Sequence, residues 1–100
     1  MKKTFEAKIK WFSEAEGGRR KLPTGNKYAP IIKLSEIMEE SRDSWSIVVV
    51  NKEFFSAQET LSEIRYLSDE APDNLKSDLE FCLFEGRKKV AQGLILREID

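Results

Sequence analysis

Two clusters of basic residues are the positions in this sequence best suited to binding an anion. The first cluster is Arg19, Arg20 and Lys21, and the second is Arg87, Lys88 and Lys89. A glycine pair, Gly17-Gly18, precedes the first cluster, and Gly86 precedes the second; glycine permits tight turns and close backbone approach. Arginine offers a rigid fork of donors for phosphate or carboxylate, and lysine adds a compact charge. The clusters predict a polyanion site if the fold brings them together, and solvated turns if it does not.

The adjacent pair Phe54-Phe55 is the candidate for contact with a protein partner. Exposed apolar patches mark interaction surfaces, so this pair could anchor a partner. The alternative is a connecting loop over residues 52–59 whose phenylalanines cover one end of the core. The two tryptophans, Trp11 and Trp45, are interpreted as core or core-edge anchors, because neither lies in an aromatic pattern typical of single-strand binding.

The residue types needed for catalysis are scarce. Histidine is absent, which removes the usual general base, the Ser-His-Asp and Cys-His arrangements and most zinc sites. The single cysteine, Cys82, lies between two apolar residues and is interpreted as a packing residue. No GxxxxGK[ST] loop is present to hold nucleotide phosphates, and the carboxylates are scattered among lysines. The sequence therefore predicts a protein that is not an enzyme, with no metal, no cofactor and no nucleotide hydrolysis.

Length and composition favour one globular domain over residues 1–100. Hydrophobic residues make up 40% of the 100 residues and charged residues 35%, an ordinary balance for a folded chain. Seventeen Lys and Arg against eighteen Asp and Glu give a formal net charge of −1, which argues against a surface that is basic all over. No apolar segment is long enough for a signal sequence or a membrane span. We expect a cytoplasmic monomer that does not bind a membrane.

Period-two alternation dominates the chain and predicts β-strands. In residues 5–12, Phe5, Ala7, Ile9 and Trp11 fall on one face of such a strand. Further strands are predicted over 28–34, 45–51, 60–67, 79–86 and 89–99, the last two forming a hairpin that turns at 85–88. Residues 13–27 and 68–77 read as loops, and residues 35–43 as either short helical turns or a surface excursion. Gly93, inside the last strand, predicts a bulge or tight bend.

Six strands without a long helix predict an all-β fold, as a barrel or a sandwich. Closure into an antiparallel barrel is attractive because it removes exposed strand edges, which also favours a monomer. Pro30 places its strand at a sheet edge or at a strand start, because proline cannot donate to a central ladder.

Two blocks of sequence resemble the third, C-terminal domain of bacterial elongation factor Tu. The first block contains Phe5-Glu6-Ala7, then Ser13 and Glu16-Gly17-Gly18-Arg19, then Tyr28 and Pro30. The second block contains Phe81, Glu85, Gly86, Lys88, Val90 and Gly93. Together they cover about half of the chain, in the same order as in the family, and residues 35–75 show no match. The resemblance implies a six-stranded antiparallel β-barrel.

The resemblance also implies a face for RNA. In the family, the arginine of the E-G-G-R turn lies at the surface that meets the backbone of a tRNA stem, which would place Arg19, Arg20 and Lys21 on an RNA-facing rim. Gly86 and Lys88 would lie near the same face. Where the family has a second glycine that allows close approach to RNA, this chain has Arg87. No segment resembles the GTPase domain of the factor, so transport of aminoacyl-tRNA is not implied.

Two functional hypotheses remain open from the sequence. The first is a non-enzymatic interaction module, such as a small immunity or inhibitor protein, whose barrel binds an unidentified protein. The alternative is translation-associated binding of tRNA or rRNA through the basic turns. The sequence pI of about 5.6 favours a protein partner, because an RNA site must overcome the charge of the remaining surface.

Overall fold

The chain folds into a closed, six-stranded antiparallel β-barrel, which confirms the predicted fold class. The structure is a computed structural model that describes residues 3–17, 25, 27–34 and 45–99. Within these residues the strands are Phe5–Trp11 (β1), Ile31–Leu34 (β2), Trp45–Phe54 (β3), Glu59–Tyr66 (β4), Glu80–Glu85 (β5) and Lys88–Glu98 (β6). Around the barrel they follow the order β1-β4-β3-β2-β5-β6, and β6 pairs with β1 to close the ring.

The alternation of apolar and polar residues in the sequence corresponds to the alternation of buried and more exposed residues in the barrel wall. In β1, Phe5, Ala7, Ile9 and Trp11 are buried, and Trp11 has no exposed surface. β4 has the same period, with every second residue from Thr60 to Tyr66 buried. The core that these faces enclose is almost entirely aliphatic and aromatic, and Trp45 packs against it from its edge as predicted.

Two predicted strand boundaries are wrong by three residues each, and the others agree to within one residue. β3 continues through Lys52 to Phe54 rather than ending at residue 51, because these residues keep pairing with β4 as far as Phe54 and Thr60. β2 begins at Ile31, and Tyr28 joins the sheet only through an isolated bridge to Val49. Pro30 thus precedes the first residue of a strand that is paired on both sides, which confirms the strand-start alternative. The undecided residues 35–43 lie outside the described residues.

Of the two alternatives predicted at Gly93, a bulge or a tight bend, the bulge is wrong. Gly93 pairs in register with both Ile9 and Phe81, whereas the register shifts lie between Glu6 and Ala7 and between Leu83 and Phe84. A Cβ atom at Gly93 would lie 2.4 Å from Cζ of Phe81 and 2.9 Å from the carbonyl oxygen of Lys8. Glycine is required there because the Phe81 ring occupies the space of a side chain.

No helix within the part of the chain that the structure describes is long and apolar enough to cross a membrane. That part contains one 3-10 turn, Glu14–Glu16, directly after β1.

Candidate functional site

Three connections lie together at one end of the barrel. β1 ends there, because Trp11 pairs with Ala91 near the start of β6. The β3–β4 hairpin turns there, because Lys10 pairs with Glu59 at the start of β4. The β5–β6 hairpin turns there as well, since β6 begins beside the end of β1. We call this surface the hairpin end and define it as residues 12–17, 54–59 and 85–89.

The β5–β6 hairpin carries the second basic cluster. Its turn contains Gly86 at φ 65° and Arg87, as predicted for residues 85–88. Arg87, Lys88 and Lys89 are all exposed to solvent. The Lys89 ammonium lies 5.5 Å from the centroid of the Phe12 ring, a cation–π distance. This contact joins the hairpin to the segment that leaves β1, and the backbone N–H of Phe12 adds a 2.9 Å hydrogen bond to the carbonyl oxygen of Val90.

The first basic cluster, Arg19, Arg20 and Lys21, lies outside the described residues. The chain is described up to Gly17, whose left-handed backbone (φ 91°) ends the 3-10 turn, with its N–H bonded to the Glu14 carbonyl. Gly17 therefore has the turn role predicted for it. The segment that precedes the first cluster begins at the hairpin end, beside Lys89.

The apolar pair lies at the tip of the β3–β4 hairpin. Phe54 is 51% exposed and Phe55 is 56% exposed, so the interpretation that they cover the end of the core is wrong. The turn itself is well bonded. The N–H of Phe55 donates to the carbonyl oxygen of Glu59 at 2.9 Å, and the Ser56 hydroxyl accepts from the N–H groups of Gln58 and Glu59 at 3.2 and 3.1 Å. The rings are displayed by an ordered turn rather than buried by a loop.

Gln58 ties this hairpin to the 3-10 turn. Its side-chain amide donates to the carbonyl oxygen of Trp11 at 3.0 Å and to the Glu16 carboxylate at 2.9 Å. Glu16 is also part of a capping box, in which it accepts from the N–H of Ser13 at 2.9 Å and the Ser13 hydroxyl accepts from the N–H of Glu16. The backbone and side-chain hydrogen bonds from Ser13, followed by that from Gln58, lower the pKa of Glu16. Glu16 is therefore an ionised acid between the two hairpins.

Aromatic contacts attach the entry of β2 to the same surface. Tyr28 lies 5.8 Å from Trp11, ring centroid to ring centroid, at a tilt of 54°. Its hydroxyl donates to the carboxylate of Glu85, at the start of the β5–β6 turn. The hairpin end is thus held by contacts on each side rather than formed by three independent loops.

The hairpin end combines three kinds of surface. The apolar tip of Phe54 and Phe55 lies on one side and the basic hairpin of Arg87 and Lys88 on the other, because β1 separates β4 from β6 in the barrel. The exposed acidic turn Glu14–Glu16 follows β1 between them. A surface with apolar, acidic and basic parts can recognise a partner by shape and by charge of both signs.

Neither a metal site nor an unpartnered buried polar group occurs in the described ranges. No cluster of three or more Cys, Asp or Glu residues is arranged there to hold a metal ion, and every buried side-chain nitrogen or oxygen has a hydrogen-bond partner. Cys82 is buried and is a free thiol.

The sequence identifies the basic hairpin and the phenylalanine pair but does not show that they belong to one surface. Phe12 and Gln58, which join the hairpins to the end of β1, are not identifiable from residue type alone. The available signal was the antiparallel connectivity. Because β4 and β6 both pair antiparallel with β1, the end of β1 lies beside the starts of both strands. The turns that precede those two strands therefore lie at the same end of the barrel.

No protein-family model matches this sequence, and no curated protein matches it.

Proposed function

We propose that the protein is a non-enzymatic interaction module that binds another protein through the hairpin end. The observation that carries this proposal is the exposure of two adjacent phenylalanines, 51% and 56%, on an ordered hairpin tip. Aromatic side chains supply a large apolar contact area with few rotatable bonds, and they are common anchors of protein interfaces.

The surroundings of the tip support the same proposal. A protein interface typically has an apolar centre and a polar rim. The acidic turn Glu14–Glu16 lies beside the tip, held by the Gln58 bond to Glu16, and the basic hairpin lies beyond it. This order gives a partner both an anchor and a charge pattern that fixes its orientation.

Site-specific photocrosslinking in cells tests this proposal. A photoreactive phenylalanine analogue at position 55 should yield a discrete crosslinked protein product. The matched control is the same analogue at Leu67, which is 50% exposed but lies after β4, at the other end of the barrel. Position 67 should not yield that product, and Phe54→Ser should diminish the product obtained from position 55. Equal products from both positions, or none from position 55, would contradict the proposal.

A second candidate function is RNA binding through the basic hairpin. It is favoured by the exposure of Arg87, Lys88 and Lys89 on one turn, with Phe12 beneath Lys89. The resemblance to the third domain of elongation factor Tu, which we propose as a relationship, supports the same candidate. The closed six-stranded barrel and the left-handed Gly17 turn are consistent with that relationship.

Filter binding of bulk tRNA at two salt concentrations tests the second candidate. Affinity that depends on phosphate contacts falls steeply with salt, and removing two contacts lowers the slope of log affinity against log salt by about 2. Arg87→Ala with Lys88→Ala should produce this change, whereas Lys76→Ala, an exposed lysine in the connection between β4 and β5, should not. Absence of binding at low salt would exclude the RNA candidate.

A further inference from the structure

A cavity of about 260 Å³ lies at the opposite end of the barrel. It is formed where the start of β1 and the end of β4 meet the connection between β4 and β5. Its lining residues include Lys3, Phe5, Tyr66, Asp69, Asp73 and Leu75. The cavity shares no residue with the hairpin end, so it is a separate candidate site.

The inner wall of the cavity is apolar and aromatic. Phe5, Tyr66 and Leu75 belong to the buried core, and Ala71 packs against that core. Two aromatic rings in the wall favour a flat apolar group and also attract a positive charge. The volume is slightly below the range of pockets for drug-sized ligands, so the ligand must be small.

The connection that covers the cavity is tied to the barrel. The Tyr66 hydroxyl donates to Oδ1 of Asn74 at 2.6 Å, which fixes the connection to the end of β4. A turn in the same segment is closed by the N–H of Ala71 donating to the carbonyl oxygen of Ser68 at 3.3 Å. The cavity is therefore present before a ligand arrives, and binding needs no ordering of this segment.

The mouth of the cavity is acidic and already holds an ammonium group. Asp69 and Asp73 lie at the mouth, and Nζ of Lys3 is 3.4 Å from Oδ2 of Asp73. The two side chains of this ion pair are 48% and 74% exposed, and exposed pairs of this kind contribute little stability. An incoming cation can take the place of Lys3 at Asp73 at small cost.

We infer that this cavity binds a small organic cation with an apolar body, of the class of a primary arylalkylamine. The aromatic or alkyl body packs against Phe5, Tyr66 and Leu75, and the ammonium group replaces Lys3 at Asp73. The inference is independent of the proposed function, because it concerns the opposite end of the barrel.

The test is titration of the full chain with 2-phenylethylamine, followed by backbone NMR shifts. We expect shifts centred on residues 68–75 and a dissociation constant in the millimolar range, as befits a ligand of fragment size. Lys3→Ala removes the competing ammonium and should tighten binding severalfold, while Asp73→Asn should weaken it severalfold. Both side chains are exposed and lie outside the core, so both variants should fold. The two variants should change the affinity in opposite directions, so each is the control for the other.

Two ligand controls separate charge from shape. Phenylethanol lacks the ammonium and should bind more weakly, and phenylacetate should bind least because of the two carboxylates at the mouth. Ala71→Phe should abolish the shifts by filling the cavity. Equal binding of amine and acid, shifts centred away from the residues that line the cavity, or equal effects of Lys3→Ala and Asp73→Asn would each overturn the inference. The Phe54→Ser variant should bind 2-phenylethylamine as tightly as the wild-type protein does. Failure of amine binding can therefore be distinguished from failure of the proposed function.

Discussion

The indole Nε1 of Trp11 donates a hydrogen bond of 2.9 Å to the hydroxyl oxygen of Thr60, and neither residue has exposed surface. The Thr60 and Ser62 hydroxyl oxygens are 2.9 Å apart, and Ser62 donates to Oδ1 of Asn51 at 2.6 Å. Because the Ser62 proton is committed to Asn51, Thr60 must be the donor to Ser62. A single directed chain of hydrogen bonds thus leads from the core indole to a half-buried amide.

The first prediction concerns this chain. Thr60→Val keeps the shape of the side chain but leaves the buried indole N–H without an acceptor, which should cost about 1–3 kcal/mol of unfolding free energy. Urea denaturation measures the loss. Thr60→Ser is the matched control, because it retains the hydroxyl and removes only a methyl group. If Thr60→Val were no more destabilising than Thr60→Ser, the hydrogen bond to Trp11 would not contribute to stability.

These hydrogen bonds show why the sequence predicts the fold better than it predicts the polar contacts inside the barrel. β1 alternates cleanly between apolar and charged residues, so its buried face was readable. In β4 the buried face begins with Thr60 and Ser62, whose hydroxyls make that face look no more apolar than the other. They are buried because Trp11, Asn51 and each other satisfy them, and such partners are set by the pairing of distant strands.

The candidate site was predictable in its residues and not in its arrangement. Phe54 and Phe55 were identifiable as a candidate contact because two adjacent phenylalanines follow a buried strand. β3 continues past Asn51 through a register shift against β4, and its residues beyond the shift are exposed. Local sequence does not report that shift, because it arises from pairing with β4.

Gly93→Ala should destabilise the barrel by about 1–3 kcal/mol, since the added methyl group would overlap the Phe81 ring. Its backbone needs no positive φ, so the cost comes from packing alone. Phe81→Leu shortens the opposing side chain, and the double variant should therefore lose less stability than the sum of the two single losses. Thermal or urea unfolding measures all three.

The control for this prediction is Gly17→Ala. Gly17 has φ +91° and no atom within 4 Å of the Cβ position. The loss of unfolding free energy in Gly17→Ala should come from backbone strain, and it should add to the loss in Phe81→Leu. Additive losses for Gly93→Ala and Phe81→Leu would show that the ring does not set the requirement for glycine.

Tyr66 should make stability fall at high pH. Burial raises the pKa of its hydroxyl, and the hydrogen bond with Asn74 opposes this to a smaller extent. Because the folded state holds the proton more tightly, stability is constant below the ordinary tyrosine pKa of about 10 and falls as pH rises through the folded pKa. Tyr66→Phe should cost about 0.5–1.5 kcal/mol at pH 7 through the lost hydrogen bond.

The pH series distinguishes this contribution from general alkaline denaturation. The difference in unfolding free energy between the wild-type protein and Tyr66→Phe should narrow above pH about 10. Only the wild-type protein carries this hydroxyl, and its ionisation destabilises the folded state. Urea midpoints measured from neutral to alkaline pH give the difference directly, with other titrating groups common to both. A difference that stays constant across the series would mean that folding does not raise the pKa of Tyr66.

The last prediction concerns the bond between Gln58 and Glu16, which fixes the acidic turn against the apolar hairpin. Hydrogen bonds from Ser13 and Gln58 lower the pKa of Glu16, so they stabilise the folded state above the ordinary glutamate pKa. That contribution is lost as pH falls through the lowered folded pKa. Ser13→Ala and Gln58→Ala should each raise the midpoint of the Glu16 carboxyl titration, measured by carbon NMR.

Ser68→Ala is the matched control for these two variants. Its hydroxyl also accepts a backbone hydrogen bond, from the N–H of Glu70 at 3.1 Å, but it lies at the other end of the barrel. The Glu16 midpoint should not move in this variant. If Gln58→Ala also left it unchanged, the bond from Gln58 to the Glu16 carboxylate would not contribute to the lowered pKa, and the hairpin and the acidic turn would be joined through Trp11, which bonds both the backbone and the side chain of Gln58. The side-chain bond would then have no part in presenting Phe54 and Phe55 beside an acidic surface.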